Sequence, residues 1–353
     1  MIGASGNVGS RVIEVLLANL DKYEIYGIAV GDNTSIIDKI LSKTSLKMIV
    51  IKNEDTMHFY KRKYPNTLFM YSSMGLDYLA SIKVDLFVNC LSGVRGLYYS
   101  YVAIKNKSNL ALANKESLAC GGKEFIDFVE KNKVKIYPID SEIEGINLLL
   151  NKFKCYDKLY ITCSGGMFYE KVDCTNISYE EAVNHPTWKM SKHITISCNL
   201  LANKGLELME VYYLYKVDVS KIGVLLDKTS RIHAVLEIND KKYCVKYTPN
   251  MRIPIRSSLD VLNTNRIRLY KNELELVDIN KHKMLALALD CIKLGGVMPF
   301  YYCLFNEIAI GKFIDKTIRF DEIFSYVKTK LSTITNKDMS IIERIEEVYK
   351  WGF

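Results

Sequence analysis

Three carboxylates, Asp140, Glu142 and Glu144, fall within five residues in the stretch PIDSEIEG (138–145). Carboxylates this crowded repel one another, so they need a positive partner or they sit in water. A second stretch, GASGNVG, sets Gly3, Gly6 and Gly9 three apart, directly before a helix-like run. Glycines let a backbone turn tightly against a pyrophosphate, and the following helix N-terminus offers free N–H groups. Asp32, in IAVGDNTS (28–35), lies where a carboxylate meets the ribose 2′-hydroxyl of NAD, whereas NADP wants a cation there. Asp32, Asn33 or Ser35 fits a helix N-cap before IIDKIL equally well.

Three further stretches carry unusual polar residues. ALANKESL (111–118) places Asn114, Lys115 and Glu116 at the end of an apolar strand, where ligands bind in α/β sheets. ITCSGGMF (161–168) ends a strand with Ser164, Gly165 and Gly166, a small-residue turn suited to anion contact. CNLLANKGLELME (198–210) sets Asn203, Lys204, Glu207 and Glu210 near one helix face, either solvated or part of a site.

These residues need elements to hold them. Over the first 140 residues, strand-like runs at 23–30, 46–51, 84–90, 108–113 and 134–139 alternate with helical runs at 11–20, 35–43, 96–106 and 122–132. That alternation predicts an N-terminal Rossmann-like, doubly wound parallel sheet. Strands at 158–168, 233–239 and 243–248 and a long helix at 199–215 predict a central α+β catalytic domain. Residues 256–281 read as a polar linker, and 282–353 as a C-terminal helical domain. The expected domains are therefore 1–140 for the dinucleotide and 141–255 for catalysis, then the linker and the helical domain. Only Met1 and Ile2 precede the glycine turn, where a buried strand of five or six residues belongs. Either the true start lies upstream, or the sheet is left with unpaired edges.

The chain has 353 residues, more than one compact core accommodates. No apolar run reaches the roughly 18–20 residues of a membrane span, and the first residues lack a signal-peptide layout. Nine scattered cysteines without a CxxC pair argue against a disulfide framework or zinc cluster. A reducing interior is expected, either bacterial cytoplasm or a plastid-type organelle. The net charge of +8 reflects codon bias or attraction of anionic ligands. Lysines spread without a dense patch speak against nucleic acid as a partner, and no membrane partner is expected.

Taken together, the stretches resemble the 1-deoxy-D-xylulose 5-phosphate reductoisomerases over nearly the whole chain, in order. GASGNVG resembles the family's GSTGSIG, and ALANKESL contains its ANKESL. IDSEIEG resembles VDSEHNA, TCSGGMF resembles TGSGGPF, and NHPTWKM resembles the flap HPNWxMG. NKGLELME matches NKGLExIE, and TPNMRIPI resembles EPDMRTPI.

The resemblance implies reduction, by NADPH or NADH, of 1-deoxy-D-xylulose 5-phosphate to 2-C-methyl-D-erythritol 4-phosphate for isoprenoid precursors. It implies Mn²⁺ or Mg²⁺ held by Asp140, Glu142 and Glu207, with Lys115 and His185 completing the catalytic set. Glu144 falls outside the motif and is expected to be solvated. It implies a phosphosugar held by Ser141, Ser164, His185, Trp188, Cys198, Asn203 and Lys204. It implies a cofactor held by Gly3, Ala4, Ser5, Gly6, Asn7, Val8, Gly31, Asn33, Asn114 and Glu116, and a homodimer. The departures are Cys198 for a phosphate-binding Ser, DKTS (227–230) for HPQS, Ile143 for a His, Met167 for a Pro and Asp32 for a Lys. They leave two alternatives: a catalytically impaired relative, or an NAD(P) oxidoreductase acting on another phosphosugar.

Overall fold

The structure is a computed structural model and describes residues 1–171, 174–185, 190–262, 265–271 and 274–353. The chain forms two compact units. The first comprises Met1–Asn114, Asp127–Asp140 and Asn250–Thr264; the second comprises Lys115–Ile126, Ser141–Pro249 and Asn265–Phe353.

In the first unit, strands β1 (Gly27–Val30), β2 (Met48–Ile51) and β3 (Leu68–Tyr71) run parallel in that order. Strands β4 (Leu86–Asn89), β5 (Asn109–Leu112) and β6 (Ile136–Pro138) form a second parallel set. β1 and β2 are buried at every residue, as strands covered on both faces must be. The expected strands are all present but shorter. YEIYGIAV joins the sheet only from Gly27. β3 and the helices Glu54–Lys63 and Ser72–Ser81 give little apolar signal. β3 buries only Phe69, and the first of these helices only Met57 and Tyr60.

The expectation of unpaired edges beside the glycine turn is not met. Ile2 pairs in parallel with Asn89. Its N–H donates to Val88 O at 2.9 Å, and its carbonyl accepts from Cys90 N–H at 3.1 Å. On the other side, Ala29 N–H donates to Met1 O, and Ala4 N–H to Ala29 O, both at 2.9 Å. Residues 1–4 thus make strand-like bonds to β1 and β4, because a parallel ladder needs only alternate N–H and C=O groups from so short a segment.

In the second unit, β7 (Lys158–Cys163), β8 (Ile222–Leu226), β9 (Ile232–Ile238), β10 (Lys241–Lys246), β11 (Ile267–Tyr270) and β12 (Glu275–Leu276) form one sheet. Its order is β11-β10-β9-β7-β8-β12. Among the described residues, β7 and β8 pair in parallel and the other neighbours pair antiparallel. Helix Ser141–Lys152 packs on β9 at Gly145, where an added Cβ would stand 2.9 Å from Ala234 Cβ. Four helices follow, Lys283–Leu294, Met298–Ile314, Glu322–Ser332 and Ile341–Lys350. The second of these is buried along most of its length, including Phe300, Tyr302 and Phe305.

Two expectations are corrected. Residues 256–281 are not a linker: they supply β11, β12 and part of helix Arg252–Ser258. The strands read as polar because both lie at sheet edges, where Leu269 and Leu276 stay exposed. The helix expected at 199–215 is two, Lys192–Asn199 and Ala202–Tyr215, separated at Leu201, whose φ of 54° is left-handed. Apolar spacing runs straight through that break and hides it.

Candidate active site

One carboxylate oxygen from each of Asp140, Glu142 and Glu207 lies within 4.8 Å of the other two. Two oxygens bound to one small divalent ion at about 2.0–2.4 Å stand at most about 4.8 Å apart, so the three fit a single hard cation. Asp140 follows β6 and precedes Glu142 by two residues, so the chain itself sets their spacing. Glu142 occupies the first turn of helix Ser141–Lys152, and Glu207 is buried in helix Ala202–Tyr215.

Two lysines attend these groups. Lys115 Nζ donates to Glu207 Oε1 at 2.9 Å. Lys204, also buried, lies 3.6 Å from Glu142 Oε1 and bonds Glu207 Oε2 directly. Burial alone would lower the Lys204 ammonium, but Glu142 and Glu207 hold it well above its ordinary value. Burial likewise works against ionised Glu142, but Lys204, His233 and Ser141 hold it well below the usual carboxylate range. Asn203 Nδ2 donates to Glu207 Oε1 at 2.6 Å, and Ser141 Oγ bonds Glu142. Asn203 and Lys204, expected at a phosphate, therefore lie among the carboxylates.

Glu144, expected to be solvated, is 1% exposed. Arg266 clasps it through Nη1–Oε2 at 3.1 Å and Nη2–Oε1 at 2.5 Å. A buried carboxylate needs such a partner. The Arg266 guanidinium also lies over the Tyr247 ring, 5.1 Å from its centroid, and Tyr247 stacks on His233 at 3.9 Å. His233 Nδ1 is 4.0 Å from Glu142 Oε1. His233, Tyr247 and Arg266 were not among the expected site residues. His233 keeps its place in the family pattern three residues after DKTS, the stretch that departs from HPQS.

The glycine turn after β7 has Gly165 at φ 89° and Gly166 at φ 71°. Gly166 is held close to Asn199, whose Oδ1 accepts from Met167 N–H at 2.8 Å. Asn199 Nδ2 donates to Ala182 O and Asn184 O, both at 3.0 Å, tying this turn to the segment entering His185. His185 Nε2 lies 3.5 Å from Ser164 Oγ, and burial lowers the imidazole below its ordinary value. Burial pushes the Cys198 thiol up to about 12, so it stays a neutral, weak donor. Trp188 lies outside the described residues. The DKTS departure has a structural account: Asp227 accepts from Thr229 N–H and Oγ1, Arg231 N–H and Ile232 N–H, closing the β8–β9 turn.

In the first unit, Gly3 has φ 73°, and a Cβ there would stand 2.5 Å from Cys90 O. A Cβ on Gly9 would stand 2.0 Å from Gly3 O, so the turn needs both glycines. Ala4 is buried beneath it, and Ser5 Oγ accepts from Gly31 N–H at 2.9 Å. Gly6 caps helix Asn7–Leu17 with extended backbone, and Val8 lies in its first turn, which holds no acidic residue. Asn114 is buried and donates to Leu91 O and Gly93 O, which gives it a loop-holding role after β4. Glu116 lies half-buried in the first turn of helix Lys115–Asn132. Asp32 is not an N-cap: that position is Thr34, Asn33 Oδ1 accepts from Ser35, and Asp32 pairs with Lys52 at 3.1 Å.

A glycine turn at the head of parallel strands is the device that seats a dinucleotide pyrophosphate, and clustered hard oxygens are the device that seats Mg²⁺ or Mn²⁺. The class so defined is a metal-dependent nicotinamide oxidoreductase. Models of the 1-deoxy-D-xylulose 5-phosphate reductoisomerase match residues 1–122, of its C-terminal domain residues 136–215, and of the DXP reductoisomerase C-terminal domain residues 247–352. The chain belongs to the 1-deoxy-D-xylulose 5-phosphate reductoisomerase family. It is 30% identical to the reductoisomerase of Macrococcus caseolyticus over 99% of this chain and 97% of that one. It is equally identical to that of a Thermoanaerobacter species, over 99% and 96%. The Zymomonas mobilis reductoisomerase solved with NADPH superposes with a TM-score of 0.84 at 26% identity, covering 98% of this chain and 95% of that one. A DOX-P reductoisomerase solved with NADPH, fosmidomycin and magnesium gives 0.85 at 26% identity, covering 99% and 95%.

Proposed function

We propose that this chain converts 1-deoxy-D-xylulose 5-phosphate to 2-C-methyl-D-erythritol 4-phosphate with NADPH and Mg²⁺ or Mn²⁺, in isoprenoid precursor synthesis. The observation that carries this reading is the Asp140–Glu142–Glu207 cluster, intact in a member of the family. When bound, the ion would polarise the substrate's carbonyl and hydroxyl oxygens, and the nicotinamide would supply hydride.

The chain's own residues do the rest. Asp140, Glu142 and Glu207 would hold the ion; Lys115 and Lys204 bond Glu207, and Lys204 and Ser141 favour the ionised form of Glu142. Lys115 and Lys204 add fixed positive charge where oxyanion character develops. Ser164, the backbone at Gly165 and Gly166, and Cys198 form the phosphate side, where a thiol at Cys198 weakens the grip, while Asn203 stays with Glu207. His185, kept neutral by burial, lies against Ser164 and covers the substrate together with Trp188, excluding water. The Gly3–Gly9 turn and the N-terminus of helix Asn7–Leu17 take the pyrophosphate, with Ala4, Ser5, Gly6, Asn7, Val8, Gly31 and Asn33 lining that end. Asn114 and Glu116 are assigned to the cofactor as well, as the family resemblance implies. We further assign the protein to a bacterial cytoplasm or an organelle interior, in keeping with nine free cysteines, and to a homodimer, as the family resemblance implies. Light scattering on the purified protein tests the latter.

The functional test is product identification. Deoxyxylulose phosphate, NADPH and Mn²⁺ incubated with the protein should give methylerythritol phosphate, resolved by ¹³C NMR. Oxidation of NADPH with another ketose phosphate, and none with this one, would overturn the reading.

A further inference from the structure

Asp32 stands two residues after β1 and Lys52 one residue after β2. The strands are parallel neighbours, with Val30 opposite Ile51, so both side chains leave the carboxyl edge of the sheet. The glycine turn is bonded to the same edge through Ser5 Oγ and Gly31 N–H at 2.9 Å. This is where the adenosine ribose of a bound dinucleotide lies. A carboxylate there favours a free 2′-hydroxyl, and a cation favours a 2′-phosphate. This chain has both, in contact: Lys52 Nζ lies 3.1 Å from Asp32 Oδ1 and 3.2 Å from Oδ2. Their side chains are 67% and 84% exposed, so water screens the pair and it opens at little cost.

Resting on the NADPH reading above, we propose that the Asp32–Lys52 pair sets cofactor specificity, with Lys52 receiving the 2′-phosphate of NADPH and Asp32 opposing it. The ammonium exchanges a carboxylate partner for a phosphate of greater charge, and the freed Asp32 carboxylate turns to solvent. Selectivity for the 2′ group is then a balance of two opposed charges. Removing either one tips it in the opposite direction.

The test uses the whole protein and needs no turnover. Calorimetric affinities are measured at low salt for adenosine 2′,5′-bisphosphate and for ADP, which lacks the 2′-phosphate. Lys52→Met should weaken the bisphosphate about tenfold, the loss of one charge-assisted contact, and leave ADP within about twofold. Asp32→Asn should tighten the bisphosphate several-fold without helping ADP. Unchanged bisphosphate affinity in Lys52→Met would overturn the inference, as would parallel weakening of both probes. Weaker bisphosphate binding in Asp32→Asn would do the same. Wild-type protein that binds neither probe would remove the inference and the cofactor site together. Normal probe binding without turnover of deoxyxylulose phosphate would count only against the proposed reaction.

Discussion

Arg266→Met should destabilise the second unit more than most single substitutions. Arg266 makes a two-pronged contact to Glu144, whose carboxylate is 1% exposed. Removing the guanidinium leaves that carboxylate buried without its ion partner, a loss of about 3–5 kcal/mol. At about 2 °C per kcal/mol for a chain of this size, the melting temperature should fall by ~6–10 °C. Differential scanning fluorimetry measures it directly. The double variant Glu144→Gln with Arg266→Met removes both charges and should recover most of the loss. It should remain about 1 kcal/mol below wild type, because the cation–π contact with Tyr247 is gone as well. A single variant melting within about 2 °C of wild type would refute the reasoning. So would a double variant as unstable as the single one, which would mean that packing, not charge, is what Arg266 provides.

Asp227→Ala removes an acceptor of four hydrogen bonds in the β8–β9 turn and should cost about 2–4 kcal/mol by urea denaturation, with Asp227→Asn milder. Burial lowers the imidazoles of His185, His193 and His282. The unfolded chain then binds more protons below about pH 6.5, so stability is lost as pH falls through that value. Urea midpoints should therefore be lower at pH 5.5 than at 7.5. His193→Gln should flatten the difference, and an unchanged slope would count against that assignment.

The carboxylate cluster was legible in part: Asp140 and Glu142 are crowded in sequence, and Glu207 joined them only through the family resemblance of NKGLELME. Glu144 was misread because residues two apart on a helix face different ways, and its partner lies 122 residues further along. No local pattern announces such a pair. Asp32 showed its type but not its neighbour, since Lys52 reaches it only when β1 and β2 align. The parallel strands were found because burial on both faces demands continuous apolar runs, as in MIVI. The edge strands β3, β11 and β12 escaped because one open side lets polar residues in. The break at Leu201 was invisible because a left-handed residue leaves no compositional trace when it is not glycine or asparagine.

The central claim is that Asp140, Glu142 and Glu207 hold a divalent ion on which turnover depends. NADPH oxidation with deoxyxylulose 5-phosphate, followed at increasing Mn²⁺ in wild type and in Glu142→Gln, tests it most directly. The account predicts oxidation that a chelator abolishes and added Mn²⁺ restores in wild type. It predicts none in Glu142→Gln at any metal concentration, although that variant still binds NADPH. Full activity in Glu142→Gln, or oxidation indifferent to the chelator, would contradict it.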